Sequence, residues 1–232
     1  QFLKSNLVKM RTIWSLVALK RLRRQKEKYF CGTSILSKEL GSSEVINLLL
    51  IGDFKQDQVC SASDDGSTKI WDRRQKIAAK SFDLGFSQTA VVFSANSEYL
   101  FVAGIDNCIK AINLTSNSLD FSMYGHTDTI TSLSLSNSGN FLLSNSMDNT
   151  LRCWDVRPFI QGEQRQMKIY YGHQHTNLEK NLLGCGWSHD DRFVTAASAD
   201  RLTYVWNWQT QEIENRLGGH KGCVNDVKFS PN

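Results

Sequence analysis

The chain of 232 residues is long enough for one large domain or two small ones. Hydrophobic residues make up 41% and charged residues 22%, which excludes wholesale disorder, and only 2 prolines exclude a collagen-like or proline-rich architecture. The net charge of +4 is unevenly distributed: residues 1–30 hold nine basic residues against one acidic residue, so they carry +8 and the other 202 residues carry −4.

The first 28 residues form a basic segment, which we predict to be separate from a repeat domain covering residues 29–232. Its apolar residues recur at alternating spacings of four and three, which is typical of one face of an amphipathic helix: Leu3, Leu7, Met10, Trp14 and Val17. Three interpretations fit the segment: a partner-docking helix with a solvated basic end, a nuclear-import or RNA-contacting patch, and a divergent unit of the repeat that follows.

The rest of the sequence repeats at a period near 42 residues. Four segments align, at residues 63–72, 104–113, 146–155 and 198–207. In each segment an aspartate lies six positions before an anchor residue, and successive anchors lie 41, 42 and 52 residues apart. The pairs are Asp65 with Trp71, Asp106 with Ile112, Asp148 with Trp154, and Asp200 with Trp206. Gly-His pairs form a second landmark, and they end at His126, His173 and His220.

Between these landmarks the chain alternates apolar and polar residues over short runs, which is the pattern of β-strands. Residues 131–135 and 141–144 show it, with a polar turn at 137–140 between them. Each unit is therefore predicted to be a sheet of four short antiparallel strands, with an Asp-Gly or Asp-Asn turn between the second and third strands. Because one such sheet cannot bury both of its faces, neighbouring units must stack.

This pattern resembles the WD-repeat β-propeller family, whose blades carry Gly-His followed by Trp-Asp. The resemblance implies an all-β fold with four recognisable blades and a partial blade at each end, which together make an incomplete seven-bladed propeller. We expect residues 34–40 to be the outer strand of an earlier blade and residues 224–231 to be the innermost strand of a further one.

The family resemblance also implies a hydrogen-bonded tetrad that braces each blade, made of a histidine, a serine or threonine, an aspartate and the tryptophan. The third unit supplies the full set: His126, Ser144, Asp148 and Trp154. A buried carboxylate needs such donors, so the set has a structural reason to recur. The other candidate members are Ser61, Asp65 and Trp71 in the first unit, Asp106 in the second, His173, Asp200 and Trp206 in the fourth, and His220 beyond it.

The sequence offers no catalytic motif of its own. A glycine-rich phosphate loop, a Gly-x-Ser-x-Gly elbow and a His-Glu-x-x-His pair are all missing from it. His173 and His175 would lie on one face of a strand and form a conceivable metal pair, but no third ligand is identifiable. We therefore expect no cofactor, no metal and no enzymatic activity, and interpret the chain as a scaffold that binds macromolecules through its loops.

Several stretches, above all residues 142–159 and 177–183, resemble WD-repeat subunits of the U5 small nuclear ribonucleoprotein. The resemblance implies a nuclear protein of pre-mRNA splicing that binds the large U5 scaffold protein and the U5 RNA helicase. It also implies that RNA is associated through the complex rather than directly, and the net acidic residues 31–232 agree with this. An alternative is a substrate receptor of a cullin-type ubiquitin ligase, because residues 71–74 and 154–157 both fit Trp-Asp-x-Arg.

The longer interval between the third and fourth anchors predicts an inserted loop at residues 157–180. Inserted loops often carry recognition, and aromatic and arginine side chains often anchor interfaces. The predicted partner-binding residues are Arg157, Phe159, Arg165, Tyr170 and Tyr171. In an alternative interpretation, the two adjacent tyrosines only end the outer strand of the third unit.

Overall fold

The computed structural model describes the backbone of residues 46–51 and describes residues 58–72, 74–158, 164–176 and 181–230 in full. The predicted basic segment 1–28, the predicted outer strand 34–40 and Phe159 lie outside the described residues. No helix long and apolar enough to cross a membrane occurs in the described part of the chain.

Sixteen strands form four separate antiparallel sheets in the described ranges, and each sheet contains four strands in chain order. The prediction of four-stranded units is therefore confirmed. The first sheet contains β1 Ile46–Ile51, β2 Gln58–Ser63, β3 Ser67–Asp72 and β4 Ala78–Asp83, and the second contains β5 Gln88–Phe93, β6 Tyr99–Gly104, β7 Ile109–Asn113 and β8 Ser118–Met123. The third contains β9 Ile130–Leu135, β10 Phe141–Ser146, β11 Thr150–Asp155 and β12 Gln166–Tyr171, and the fourth contains β13 Cys185–Trp187, β14 Phe193–Ala197, β15 Thr203–Asn207 and β16 Ile213–Leu217.

The turn between the second and third strands explains why an aspartate recurs in the first, third and fourth units. The aspartate accepts a hydrogen bond from the backbone N–H two residues later, over 2.7 Å at Asp65, 2.9 Å at Asp148 and 3.1 Å at Asp200. The residue after the aspartate has a positive φ of 84° at Gly66 and 62° at Asn149. Glycine and asparagine adopt this left-handed conformation at the least cost, so the Asp-Gly and Asp-Asn pairs specify the turn.

The sheets pack face to face, and the middle sheets bury both faces. Along β6, Leu100 and Val102 belong to the core shared with the first sheet, whereas Phe101 and Ala103 belong to the core shared with the third. A separate core lies between the third and fourth sheets and contains the fully buried Trp206. The first strands of neighbouring sheets contact one another, so the four sheets are arranged side by side as blades of an incomplete propeller.

The prediction of an innermost strand at residues 224–231 is corrected, because the described residues 224–230 do not form a strand. They lie against the fourth sheet: the backbone N–H of Val224 donates to the carbonyl of Ser198 over 3.1 Å, and the N–H of Gly184 donates to the carbonyl of Asn225 over 2.8 Å. Val224 and Val227 also pack there. An innermost strand needs a second strand of its own sheet to complete a ladder, and no such strand follows β16 among the described residues.

The alternating strand directions define two faces of the four-sheet array. The face formed by the connections after the second and fourth strands of each sheet is called the upper face, and it includes the Gly-His landmarks. The lower face is formed by the connections after the first and third strands. Consecutive antiparallel strands end on opposite sides, so this assignment follows from the strand order alone.

Candidate functional site

The predicted tetrad residues of the third unit lie together in a buried chain of hydrogen bonds. His126 Nδ1 lies 2.8 Å from Asp148 Oδ2, and His126 Nε2 lies 2.7 Å from Ser144 Oγ. Trp154 Nε1 donates to the same Ser144 oxygen over 2.8 Å. The Asp148 carboxylate also accepts a hydrogen bond of 2.6 Å from the hydroxyl of Thr150.

The electrostatics of this chain of groups keep the histidine neutral and the aspartate ionised. Burial lowers the pKa of His126, although the Asp148 carboxylate opposes this effect. Burial raises the pKa of Asp148, but hydrogen bonds from His126 and Thr150 lower it by more, so the net pKa lies below its usual value. A carboxylate only accepts, so His126 donates from Nδ1 and accepts the Ser144 hydroxyl proton at Nε2.

Aspartate, histidine and serine in this order resemble a hydrolytic triad, but the surroundings oppose that chemistry. Ser144 is 0% exposed and His126 is 6% exposed, so a substrate has no route to the hydroxyl oxygen. The indole N–H of Trp154 also donates a hydrogen bond to that oxygen. A nucleophilic serine must reach a substrate atom, whereas here each polar group satisfies another buried one. The arrangement can brace β10 against β11 and the preceding connection.

The first and second units contain only parts of this arrangement. Trp71 Nε1 donates to Ser61 Oγ over 2.9 Å, as in the third unit. In the second unit Asp106 forms an ion pair of 2.5 Å with Lys110, whose side chain is 14% exposed. The lysine therefore supplies the positive partner that this buried aspartate needs in place of a histidine.

The fourth unit departs from the predicted tetrad. His173 Nε2 lies 2.8 Å from Oδ1 of Asn145, a residue of the third sheet, instead of reaching Asp200. Asp200 accepts a hydrogen bond of 2.7 Å from the hydroxyl of Tyr204. Trp206 Nε1 donates to the carbonyl of Tyr171 over 3.1 Å. With alanine at position 196, no hydroxyl is available between histidine and indole, so each group takes another partner.

The remaining predicted histidine, His220, is exposed on the upper face. No serine, aspartate and tryptophan set follows it within the 232 residues. The structure therefore places His220 on the surface and does not bring it together with the other predicted members of a tetrad.

His173 and His175 do lie close together, with ring centroids 5.6 Å apart. Both rings direct Nε2 toward Asn145 Oδ1, over 2.8 Å and 3.4 Å. Burial lowers the pKa of His173 to about 3 and that of His175 to about 4. Within the described ranges, no group of three or more His, Cys, Asp or Glu side chains is arranged to hold a metal.

The predicted insertion 157–180 is two separate connections, which corrects the prediction of one inserted loop. Residues 156–165 join β11 to β12 on the lower face, and residues 172–184 join β12 to β13 on the upper face. Strand β12 lies between them. The predicted partner-binding residues therefore cannot form one surface, because Arg157 and Tyr171 lie at opposite ends of β12.

Two predicted partner-binding residues have partners within the fold, Tyr170 in the core and Arg165 at a half-buried position. Tyr170 is 0% exposed, and its hydroxyl donates to the carbonyl of Trp208 over 3.2 Å, so this residue packs the core instead of facing a partner. The Arg165 guanidinium lies 3.9 Å from the ring centroid of Phe121 and donates to the carbonyl of Arg157 over 3.1 Å. The alternative interpretation, that the adjacent tyrosines end the outer strand, agrees with the observed end of β12 at Tyr171.

Six of the nine large apolar side chains that are exposed in the described ranges lie on the upper face, and the other three, Ile77, Leu119 and Met167, lie toward the lower face. Tyr124 is 74% exposed and Tyr171 is 64% exposed, and both directly precede the glycine of a Gly-His landmark. Further exposed apolar residues on this face are Phe86, Ile105, Leu182 and Leu217. Such a set marks an interaction surface more often than scattered single residues do. Aligning the residue before each landmark glycine would have identified both tyrosines from the sequence.

Comparison with known proteins agrees with this geometry. The family profile "WD domain, G-beta repeat" matches residues 117–155 and 164–207, which include most of the third and fourth sheets. The chain is 48% identical over 173 residues to the human "U5 small nuclear ribonucleoprotein 40 kDa protein", a match that covers 75% of this chain and 48% of that protein. A protein of the same name from Dictyostelium discoideum is 41% identical over 176 residues, covering 75% of this chain and 49% of that protein.

A splicing protein of fission yeast is similar as well. The "Pre-mRNA-splicing factor cwf17" of Schizosaccharomyces pombe is 41% identical over 196 residues, which covers 84% of this chain and 57% of that protein. The chain spans about half the length of the curated relatives it matches. The repeated four-stranded sheets, the recurring Asp turns and the family profile lead to one conclusion: residues 117–155 and 164–207 are WD repeats, and the four sheets form part of a WD-repeat β-propeller.

Proposed function

We propose that this chain is a non-enzymatic protein-interaction scaffold, a WD-repeat subunit of the U5 small nuclear ribonucleoprotein that acts in pre-mRNA splicing in the nucleus. The observation that carries the proposal is the 48% identity over 173 residues to a U5 40 kDa protein. The similarity to a yeast pre-mRNA-splicing factor over 84% of the chain supports it independently. The large U5 scaffold protein and the U5 RNA helicase are the proposed partners.

The buried tetrad supports the non-enzymatic part of the proposal. Its serine and histidine are used to satisfy one another and the indole of Trp154, inside the third blade. Bracing of this kind keeps a blade rigid, and a rigid array of blades holds its surface loops in fixed positions. Rigid presentation of loops is what a protein-binding scaffold requires.

The upper face is the proposed contact surface for the U5 proteins. Tyr124 and Tyr171 are highly exposed there, at equivalent positions on neighbouring blades. Tyrosine combines a large apolar area with a polar tip, and it is enriched at interfaces for that reason. Arg157 on the lower face is the weaker candidate, because its guanidinium already pairs with Asp155 over 2.5 Å.

Affinity purification of the tagged chain from nuclear extract tests the proposal. Recovery of U5 small nuclear RNA with the large U5 scaffold protein and the helicase supports it. Recovery of a cullin adaptor without U5 components would instead favour the ubiquitin-ligase alternative, which rests on the exposed Arg74 and Arg157 of the two Trp-Asp-x-Arg segments.

Variants on the two faces locate the contact. Tyr124→Ala combined with Tyr171→Ala is expected to reduce U5 recovery severalfold, since truncating exposed aromatic anchors removes about 1 to 2 kcal/mol each. Leu119→Ala is the matched control, because Leu119 is 52% exposed on β8 away from the upper face. Normal recovery with the double tyrosine variant and reduced recovery with Arg157→Ala would move the contact to the lower face.

A further inference from the structure

The junctions between neighbouring sheets contain equivalent side chains on the lower face. Between the third and fourth sheets, the Trp208 ring lies 5.1 Å from the ring of Phe141 and 6.3 Å from that of Trp187. Lys168 Nζ lies 4.3 Å from the Trp208 ring centroid and donates to the Trp208 carbonyl over 2.5 Å. A cation and a cluster of aromatic rings therefore fill this junction.

A cation and aromatic rings also meet at the junction between the second and third sheets, but the cation there is an arginine. The Arg165 guanidinium lies 3.9 Å from the centroid of Phe121, and the Tyr99 ring lies 6.0 Å from the same ring. Arg165 belongs to the longer connection between β11 and β12. Here, too, a cation lies against aromatic rings.

The junction between the first and second sheets also has a lysine, but a leucine lies at the position of the tryptophan. Lys80 and Lys168 each pair, across the third and fourth strands, with the residue just before the anchor tryptophan. Lys80 Nζ donates to the carbonyl of Leu114, as Lys168 donates to the carbonyl of Trp208. Leu114 and Trp208 each follow the anchor of their sheet by two residues. Leu114 therefore takes the place of Trp208.

A second difference between the two junctions adds to the space beside Lys80. Gln58 and Phe141 occupy the same register position, because each pairs with the aspartate that follows the anchor tryptophan. Glutamine and leucine thus replace a phenylalanine and a tryptophan. The result is a cavity of about 280 Å³, lined by Gln58, Ile70, Lys80, Asn96, Leu114 and Thr115.

The size and lining of the cavity point to one kind of occupant. At about 280 Å³ and partly open to solvent, it has room for one large side chain. Ile70 and Leu114 lie at its inner end and are 2% and 9% exposed, while polar groups contribute more of its accessible lining than apolar groups do. Its rim is polar and includes Asn96 and Thr115, which are exposed to solvent.

We propose that this cavity binds an aromatic side chain of a partner protein, with tryptophan fitting best and its ring facing Lys80. The bound ring takes the place that Trp208 occupies beside Lys168 in the same chain. The choice of a protein as occupant rests on the proposed scaffold function. The binding of an indole side chain by the cavity does not depend on splicing or on U5.

The test titrates the full chain with N-acetyl-tryptophanamide and follows backbone amide NMR signals. The expected result is a saturable shift of the signals of residues 96–98 and 114–115. Leu114→Trp fills the cavity from within and should abolish these shifts, whereas Leu119→Trp, which adds an indole to an exposed site on β8, should retain them. Lys80→Met should weaken binding about fivefold, through loss of the cation–π contact.

The outcomes that overturn the proposal are a lack of saturable shifts in the unaltered chain and equal shifts in Leu114→Trp. If Leu114→Trp fails to fold, Gln58→Phe is a second variant that fills part of the cavity. It should also weaken the binding of N-acetyl-tryptophanamide. N-acetyl-lysinamide is the matched probe, and equal shifts with it would also overturn the proposal. Failure of U5 recovery would leave these results unchanged, so the two proposals fail separately.

Discussion

His173 of the upper-face connection after β12 bonds Asn145 of the third sheet, with 2.8 Å between Nε2 and Oδ1. The equivalent histidine of the third unit, His126, bonds the serine and aspartate of the sheet that follows it. Two histidines at the same repeat position thus brace different sheets. The difference arises because position 196 is alanine, which leaves the fourth unit without a hydroxyl to receive the imidazole.

We predict that the complete tetrad contributes more stability than the partial one. Ser144→Ala removes the partner of both Trp154 Nε1 and His126 Nε2, and leaving buried polar groups unpaired should lower the free energy of unfolding by about 3 kcal/mol. Ser61→Ala removes only the partner of Trp71 and should cost about 1 kcal/mol. Urea unfolding of both variants measures this, and equal losses would contradict the prediction.

A second prediction concerns pH. The folded-state pKa of His173 is about 3 and that of His175 is about 4, both below the ordinary histidine value of 6.5. The unfolded chain therefore binds more protons below pH 6.5, so stability is complete above that pH and decreases as the pH falls toward 4. Each histidine contributes at most about 1.4 kcal/mol per pH unit to the slope.

The variant His175→Gln should flatten this dependence. Unfolding free energies measured at steps between pH 4 and pH 7 should fall less steeply for the variant than for the unaltered chain. His220→Gln is the control, because His220 is exposed on the upper face. The same slope in all three proteins would argue against proton uptake at His175.

A third prediction concerns a contact between neighbouring blades on the lower face. The Asp191 carboxylate accepts hydrogen bonds from the backbone N–H groups of Asn137 and Ser138, over 2.7 Å and 2.8 Å. Asp191→Ala should lower the unfolding free energy by about 2 kcal/mol, since two bonds to a charged acceptor are lost. Glu214→Ala, at an exposed residue of β16, is the control and should leave thermal stability nearly unchanged. Equal melting temperatures for the two variants would contradict the prediction.

A fourth prediction connects core packing to the cavity. Trp208→Leu copies the leucine of the first junction and should lower the unfolding free energy by about 3 kcal/mol, because the ring stack with Phe141 and Trp187 is lost. Trp208→Phe keeps a ring and should cost clearly less. If the leucine variant remains folded, it should bind N-acetyl-tryptophanamide at this junction as well. Unchanged stability of the leucine variant would show that the stack contributes little.

Much of the fold could be predicted from local features of the sequence. A strand can be predicted from alternating apolar and polar residues, and an Asp-Gly or Asp-Asn turn can be predicted from two adjacent residues. Asp65 and Asp148, each with the residue that follows, were therefore sufficient to locate their turns. The position of one predicted partner-binding residue could not be predicted in this way. Tyr170 is buried because β12 continues through the predicted insertion, and a spacing between anchors cannot show where a strand begins.

The sequence by itself determined the repeat, the four-stranded units and their family, because the period of about 42 residues and the turn chemistry are local properties. Only the tertiary structure decided that His173 bonds Asn145, that the longer interval divides between two faces, and that Leu114 leaves space beside Lys80. Each of these depends on which side chains from different sheets meet at a junction. Such contacts are set by the relative position of neighbouring blades, which the pattern within any one unit does not contain.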